Sequence, residues 1–175
     1  MDNFIASFIK DYQIFSASLL GFLGVILTML ANARLQRSQF DRSAVSASNS
    51  IRSALRSELT INLRGFELRI AQIKETDSGK QILVQSRIMD SVYKNLLSNI
   101  GALTPGESEK IIEAYLLLEE LPYRLRILVG LENVGGLDGE FICIPSAHLQ
   151  TVRKIHESCI PTIEEAITTI DGSYA

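Results

Sequence analysis

The sequence predicts an all-α protein, in which one N-terminal transmembrane helix continues into a cytoplasmic antiparallel bundle of about four helices. The window 14–33 contains no charged side chain, and roughly 20 apolar residues suffice to cross the hydrocarbon core of a bilayer. Later apolar residues recur at helical spacing, with few Pro or Gly residues between them. We therefore expect residues 1–12 on the extracytoplasmic side, residues 13–34 within the bilayer and residues 35–175 in the cytoplasm.

The orientation of this span is predicted from the charges on either side of it. Arg34, Arg37 and Arg42 follow the span, and positive residues next to a span are retained on the cytoplasmic side. These arginines are the predicted cytoplasmic-side anchor of an inner (plasma) membrane protein. A cleaved signal peptide is the alternative, because residues 31–33 (Ala-Asn-Ala) fit a cleavage pattern. The acidic N-terminus and the arginines after the site argue against cleavage.

The span also carries a face of small residues, which we call the small-residue seam. Its members recur at steps of four and three residues, and they are Ala17, Gly21, Gly24, Thr28 and Ala31. Small residues let two membrane helices approach closely. The seam predicts packing against a second copy of the span or another membrane protein, although such residues are also common in membrane helices generally.

A second apolar stripe predicts that the helix continues through residues 35–74. The stripe has the spacing of one helix face, and its members are Ile51, Leu55, Leu59, Asn62, Phe66, Ile70 and Ile73. Asn62 is its single polar member. Residues 43–50 are small and polar, so whether the helix is unbroken there is left open.

Three further helices are predicted after residue 80. The first covers residues 81–100, although its start at residues 82–84 also fits an extended strand. The second starts at Pro105, where Thr104 and Glu107 have the spacing of a capping box. Pro122 is expected to end or kink this helix.

The last predicted helix follows a glycine-containing loop. Residues 141–144 within that loop are apolar and fit either a β-bridge or a core-filling loop. Ser146 is a candidate cap for the last helix, and Pro161 is expected to interrupt it.

Charge and side-chain chemistry narrow the function classes. Residues 34–74 carry eight basic and three acidic residues, whereas residues 107–175 carry five basic and twelve acidic ones. The basic stretch lies where anionic lipid would attract it, and its spread along a helix disfavours nucleic-acid binding.

The soft metal ligands, which are Cys143, His148, His156 and Cys159, lack the paired spacing of a zinc site. We therefore predict no cofactor, no metal and no catalytic site.

Part of the chain resembles a known pattern. The runs at residues 92–96 (VYKNL), 100–103 (IGAL) and 111–115 (IIEAY) are similar to uncharacterised bacterial single-span proteins with a small cytoplasmic helical domain. That resemblance implies a layout of anchor, long helix and helical domain, and implies no activity.

The function favoured by the sequence is a membrane-anchored, non-enzymatic interaction or assembly protein. Its span would self-associate or pair in the bilayer, and its cytoplasmic domain would bind an unknown cytoplasmic protein. The alternative is a membrane-acting effector of a phage-defence or toxin-like system.

Overall fold

The computed structural model describes the backbone of residues 2–76, 80–130, 134–135 and 141–173, and the side chains of residues 21–76, 80–130 and 141–173. The helices are α1 (Asp2–Glu75), α2 (Ser91–Leu96), α3 (Pro105–Val129) and α4 (Leu149–Gly172), and the strands are β1 (Ile82–Gln85), β2 (Val134–Gly135) and β3 (Phe141–Ile144). Short 3-10 helices cover Leu97–Ala102 and Ser146–His148. The chain divides into two compact units, Met1–Ser46 and Ala47–Ala175.

The predicted transmembrane helix is wrong. Among the residues that the structure describes, no helix contains a stretch long and apolar enough to cross a membrane. The side chains of residues 14–20 lie outside the described residues. The inner-membrane localisation depended on this span and is corrected with it.

The second unit is mostly helical, as predicted, and its core contains the apolar stripe of α1. Six of the seven stripe residues are buried and apolar, and Asn62 is buried as well. Fully burying one such Leu, Ile or Phe side chain contributes about 1.5–3 kcal/mol to folding. Five of the stripe residues pack in one core cluster with buried faces of α3 and α4, which include Ile111, Leu118, Val152 and Ile163.

A small sheet corrects the all-α prediction. The strand order is β1-β3-β2, and both pairings are antiparallel. Ile82 pairs with Ile144 and Val84 pairs with Ile142, and all four side chains are buried. Residues 81–100 therefore begin as a strand, which was the alternative interpretation, and only Ser91–Leu96 is α-helical. The two-residue alternation of buried side chains overrides the helical spacing.

The capping box at the start of α3 is confirmed. The Glu107 amide donates to Oγ1 of Thr104 at 3.3 Å, and the Thr104 amide donates to Oε2 of Glu107 at 2.8 Å. Neither Pro122 nor Pro161 ends its helix, since α3 and α4 each continue through the proline. The kink at Pro122 stays a prediction. An interior proline costs a helix about 3 kcal/mol, and the buried side chains on both sides of each proline offset this cost.

Candidate functional site

The small-residue seam lies on a helix surface that no other part of its unit covers. Every residue from 21 to 46 is exposed. A Cβ atom added at Gly21 or at Gly24 would meet no atom within 4 Å. The Thr28 hydroxyl donates to the Gly24 carbonyl at 2.8 Å, so its polar group is satisfied within the helix. Ala31 is exposed, and the Ala17 side chain lies outside the described residues.

Large apolar side chains share this exposed segment. Phe22 is 64% exposed, Leu27 is 66% exposed and Met29 is 67% exposed. Leu23, Val25, Leu30, Leu35 and Phe40 are also exposed. Contiguous exposed apolar surface on a protein usually marks a contact with another molecule.

The predicted anchor arginines lie on the same helix. Arg34, Arg37 and Arg42 are all exposed. Their role as a cytoplasmic-side membrane anchor depended on the span, and it is corrected with the span.

Glu58 is the centre of a buried polar cluster in the second unit. Its side chain is 3% exposed. Oε1 accepts from the Val92 amide at 2.8 Å, and Oε2 accepts from the Tyr93 amide at 2.9 Å and the Tyr115 hydroxyl at 2.7 Å. The carboxylate thereby satisfies two of the donors that the start of α2 leaves without helical partners.

Two tyrosines complete this cluster. The rings of Tyr93 and Tyr115 stack with centroids 4.0 Å apart and an interplanar angle of 6°. Burial and the neighbouring Glu58 raise the pKa of Tyr115 far above its ordinary value. The Tyr115 hydroxyl is therefore a hydrogen-bond donor and is unsuited to act as a base at neutral pH.

Asn62, one turn after Glu58, fixes the segment before α2. Its amide nitrogen donates to the Met89 carbonyl at 2.7 Å, and its amide oxygen accepts from the Met89 amide at 3.0 Å. This exchange imitates a β-ladder pair, so a side chain of α1 holds the backbone at residue 89. The polar member of the stripe is therefore structural.

A second buried carboxylate joins α1 to the start of α3. Arg52 donates from Nε and Nη2 to the two carboxylate oxygens of Glu107, at 2.6 and 3.0 Å. Glu107 is 1% exposed. The hydrogen bonds from Arg52 and from Thr104 hold the pKa of Glu107 at about 2, even though burial raises it.

The soft metal ligands do not form a site among the described residues. His156 is fully buried, and its Nδ1 is 2.8 Å from the Val152 carbonyl. Cys159 is buried and donates to the Ile155 carbonyl, and burial raises the pKa of its thiol. Cys143 lies on β3 and donates to Gln81. These three groups each have a hydrogen-bond partner, as structural side chains usually do, whereas Nε2 of His156 is buried without one.

A pocket opens beside the two hydrogen bonds between Asn62 and the Met89 backbone, which we call the Asn62 clamp. It has a volume of about 260 Å³ and is lined by α1 and the segment after β1. Arg69 and Arg87 line it, and no acidic residue does. The Arg69 guanidinium lies 5.9 Å from the centroid of the Phe66 ring.

The residues that build these clusters were not all identified from the sequence. The sequence patterns described above include Asn62 as a polar stripe member, but they do not include Glu58, Arg69 or Arg87. Glu58 carries a detectable signal, because it lies three residues after Leu55 and four before Asn62 and so shares the buried face of α1. Arg87 carries none, because its position depends on the β1–β3 pairing.

Comparison with models of protein families, with curated proteins and with solved structures gives no match to this chain.

Proposed function

We propose that this chain is a non-enzymatic interaction and assembly protein that self-associates through the exposed helix of its first unit. The observation that carries the proposal is the exposure of every residue from 21 to 46, among them the large apolar side chains of Phe22, Leu27 and Met29. Burying one such side chain is worth about 1.5–3 kcal/mol, so a partner that covers several of them would bind strongly.

A second copy of the chain is the occupant that best fits this surface. The seam repeats every seven residues, which is the period at which two helices remain in contact along their length. In a two-fold symmetric pair, each seam position meets the same surface of its copy. The open space at Gly21 and Gly24 supports a close approach of the two backbones.

Adding bulk to the seam is expected to disrupt this association. Gly21→Leu and Gly24→Leu, combined in the full-length chain, place two leucine side chains in the closest part of the interface. We expect resonance energy transfer between differently labelled full-length chains to fall at least fivefold at equal expression. Circular dichroism should show unchanged helicity, because leucine is a better helix former than glycine.

Ala33→Leu is the matched control. Residue 33 lies about 160° around the helix from the seam, at 100° per residue, and its side chain is exposed. It should leave energy transfer near the level of the unmodified chain. Equal transfer in the seam variant and the unmodified chain would contradict self-association through the seam, and an equal loss in both variants would place the contact elsewhere.

A further inference from the structure

The pocket beside the Asn62 clamp contains two positive charges and no negative one. Arg69 and Arg87 both line it. No carboxylate of the described residues forms an ion pair with either guanidinium, and Arg69 contacts the ring of Phe66 instead. Removing a guanidinium from water without an opposing charge is unfavourable, and this applies to Arg69, which is partly buried and whose pKa is lowered by burial. Arg87 is exposed at the mouth of the pocket. The positive charge in the pocket therefore favours the binding of an anion.

A larger cleft nearby provides a contrast. It has a volume of about 630 Å³ and includes Lys94, Asp90 and Glu119 among its lining residues. Lys94 lies 2.6 Å from Asp90 and 3.7 Å from Glu119, so part of its positive charge is compensated by the protein. Arg87 lines both pockets, but no carboxylate of the described residues forms an ion pair with it, and the smaller pocket contains no acidic residue.

The walls of the smaller pocket are partly apolar. Phe66, Ile88 and Met89 line it together with Gly65. A Cβ atom at Gly65 would meet no atom within 4 Å, so this wall is open because the residue lacks a side chain. The Asn62 hydrogen bonds hold Met89 in place, and the pocket is therefore formed before any ligand arrives.

We propose that this pocket binds a small organic anion, whose carboxylate or phosphate group pairs with Arg69 and Arg87. The fork of a guanidinium matches both of these anionic groups. The apolar part of the ligand packs against Ile88 and Met89, which line the pocket and are at least partly exposed. The pocket has room for a ring-sized compound and is smaller than the 300–1,000 Å³ typical of sites for drug-sized ligands. This ligand site is independent of the proposed self-association.

Titration calorimetry of the full-length chain tests the proposal with three probes of similar size. Benzoate and phenyl phosphate carry the two candidate anionic groups, and benzyl alcohol carries none. We expect saturable binding of at least one anion and none of the alcohol. The tighter anion identifies the preferred group. Failure of both anions to bind, or equal binding of the alcohol, would overturn the proposal.

Two variants locate the binding. Arg69→Gln removes one of the two charges, and Gly65→Leu fills the open wall without changing charge. Each should weaken binding of the preferred anion at least tenfold. Arg64→Gln is the matched control, because Arg64 is exposed on the same helix and does not line the pocket. Unchanged affinity in both pocket variants, or an equal loss in the control, would overturn the assignment.

The NMR signals of His156 can report whether a ligand occupies the pocket. Its ring lies edge-on to Phe66 at 5.2 Å. Burial lowers the pKa of His156 to about 4, and the positive charge of Arg69 adds to that lowering. The chain contains only two histidines, His148 and His156. The preferred anion should shift the ring signals of His156 in NMR spectra and leave those of His148 in place. A shift of both, or of neither at saturating ligand, would contradict binding at this pocket.

Discussion

Replacing Glu58 with alanine is expected to lower the free energy of unfolding by about 3–5 kcal/mol. The substitution leaves the Val92 and Tyr93 amides and the Tyr115 hydroxyl without their acceptor. Each buried donor left unsatisfied costs about 1–3 kcal/mol, and partial access of water reduces the sum. Urea denaturation of the full-length chain at pH 7 measures the difference.

The structure offers matched variants for this test. Glu67→Ala removes a carboxylate from the exposed face of the same helix and should change stability by less than about 0.5 kcal/mol. Tyr115→Phe removes one donor, and a double-mutant cycle with Glu58→Ala should give a coupling energy of about 1.5–3 kcal/mol. A loss below 1 kcal/mol for Glu58→Ala, with no coupling, would show that the cluster does not stabilise the fold.

The second large effect is the loss of folding stability at low pH that follows when Glu107 is protonated. Its pKa is held at about 2, below the ordinary value of 4.5. A lowered pKa in the folded state means that the ionised group stabilises the fold above about pH 4.5 and that this stabilisation is lost as the pH falls toward 2. The shift corresponds to about 3 kcal/mol.

Urea denaturation between pH 2 and pH 7 measures this contribution. Glu107→Gln should lower stability by about 3 kcal/mol at pH 7 and by little at pH 2, so its pH profile should be flatter than that of the unmodified chain. Glu109→Gln is the control, because Glu109 is exposed on the same helical turn and should leave the profile nearly unchanged. Parallel profiles for Glu107→Gln and the unmodified chain would contradict the assigned role of the Arg52–Glu107 pair.

Local patterns in the sequence identified several features of the fold correctly. The stripe from Ile51 to Ile73 is buried, because residues at steps of three and four lie on one side of any helix. Thr104 and Glu107 form their capping box because both hydrogen bonds close within one turn.

Other features depended on partners far along the chain. Residues 82–85 form a strand because residues 141–144 pair with them, and no window around β1 contains that information. The prolines at positions 122 and 161 do not end their helices, because the side chains that stabilise each helix through the proline pack on other elements. The hydropathy of residues 14–33 predicted a membrane span that no described helix supports.

The buried polar groups around Glu58 and Asn62 show the same division between features set by local sequence and features set by distant partners. The sequence by itself determined which residues of α1 share the buried face, including Asn62, because the helical repeat is a local property of the chain. Only the tertiary structure decided what the buried polar groups do, because their partners come from other elements. Glu58 accepts from residues 34, 35 and 57 positions later, and the pocket of Arg69 and Arg87 exists only once the segment after β1 is held against α1. Hydrogen bonds and charge pairs act over a few ångströms in space, whatever the separation in sequence, so the fold must bring these groups together before their chemistry can be inferred.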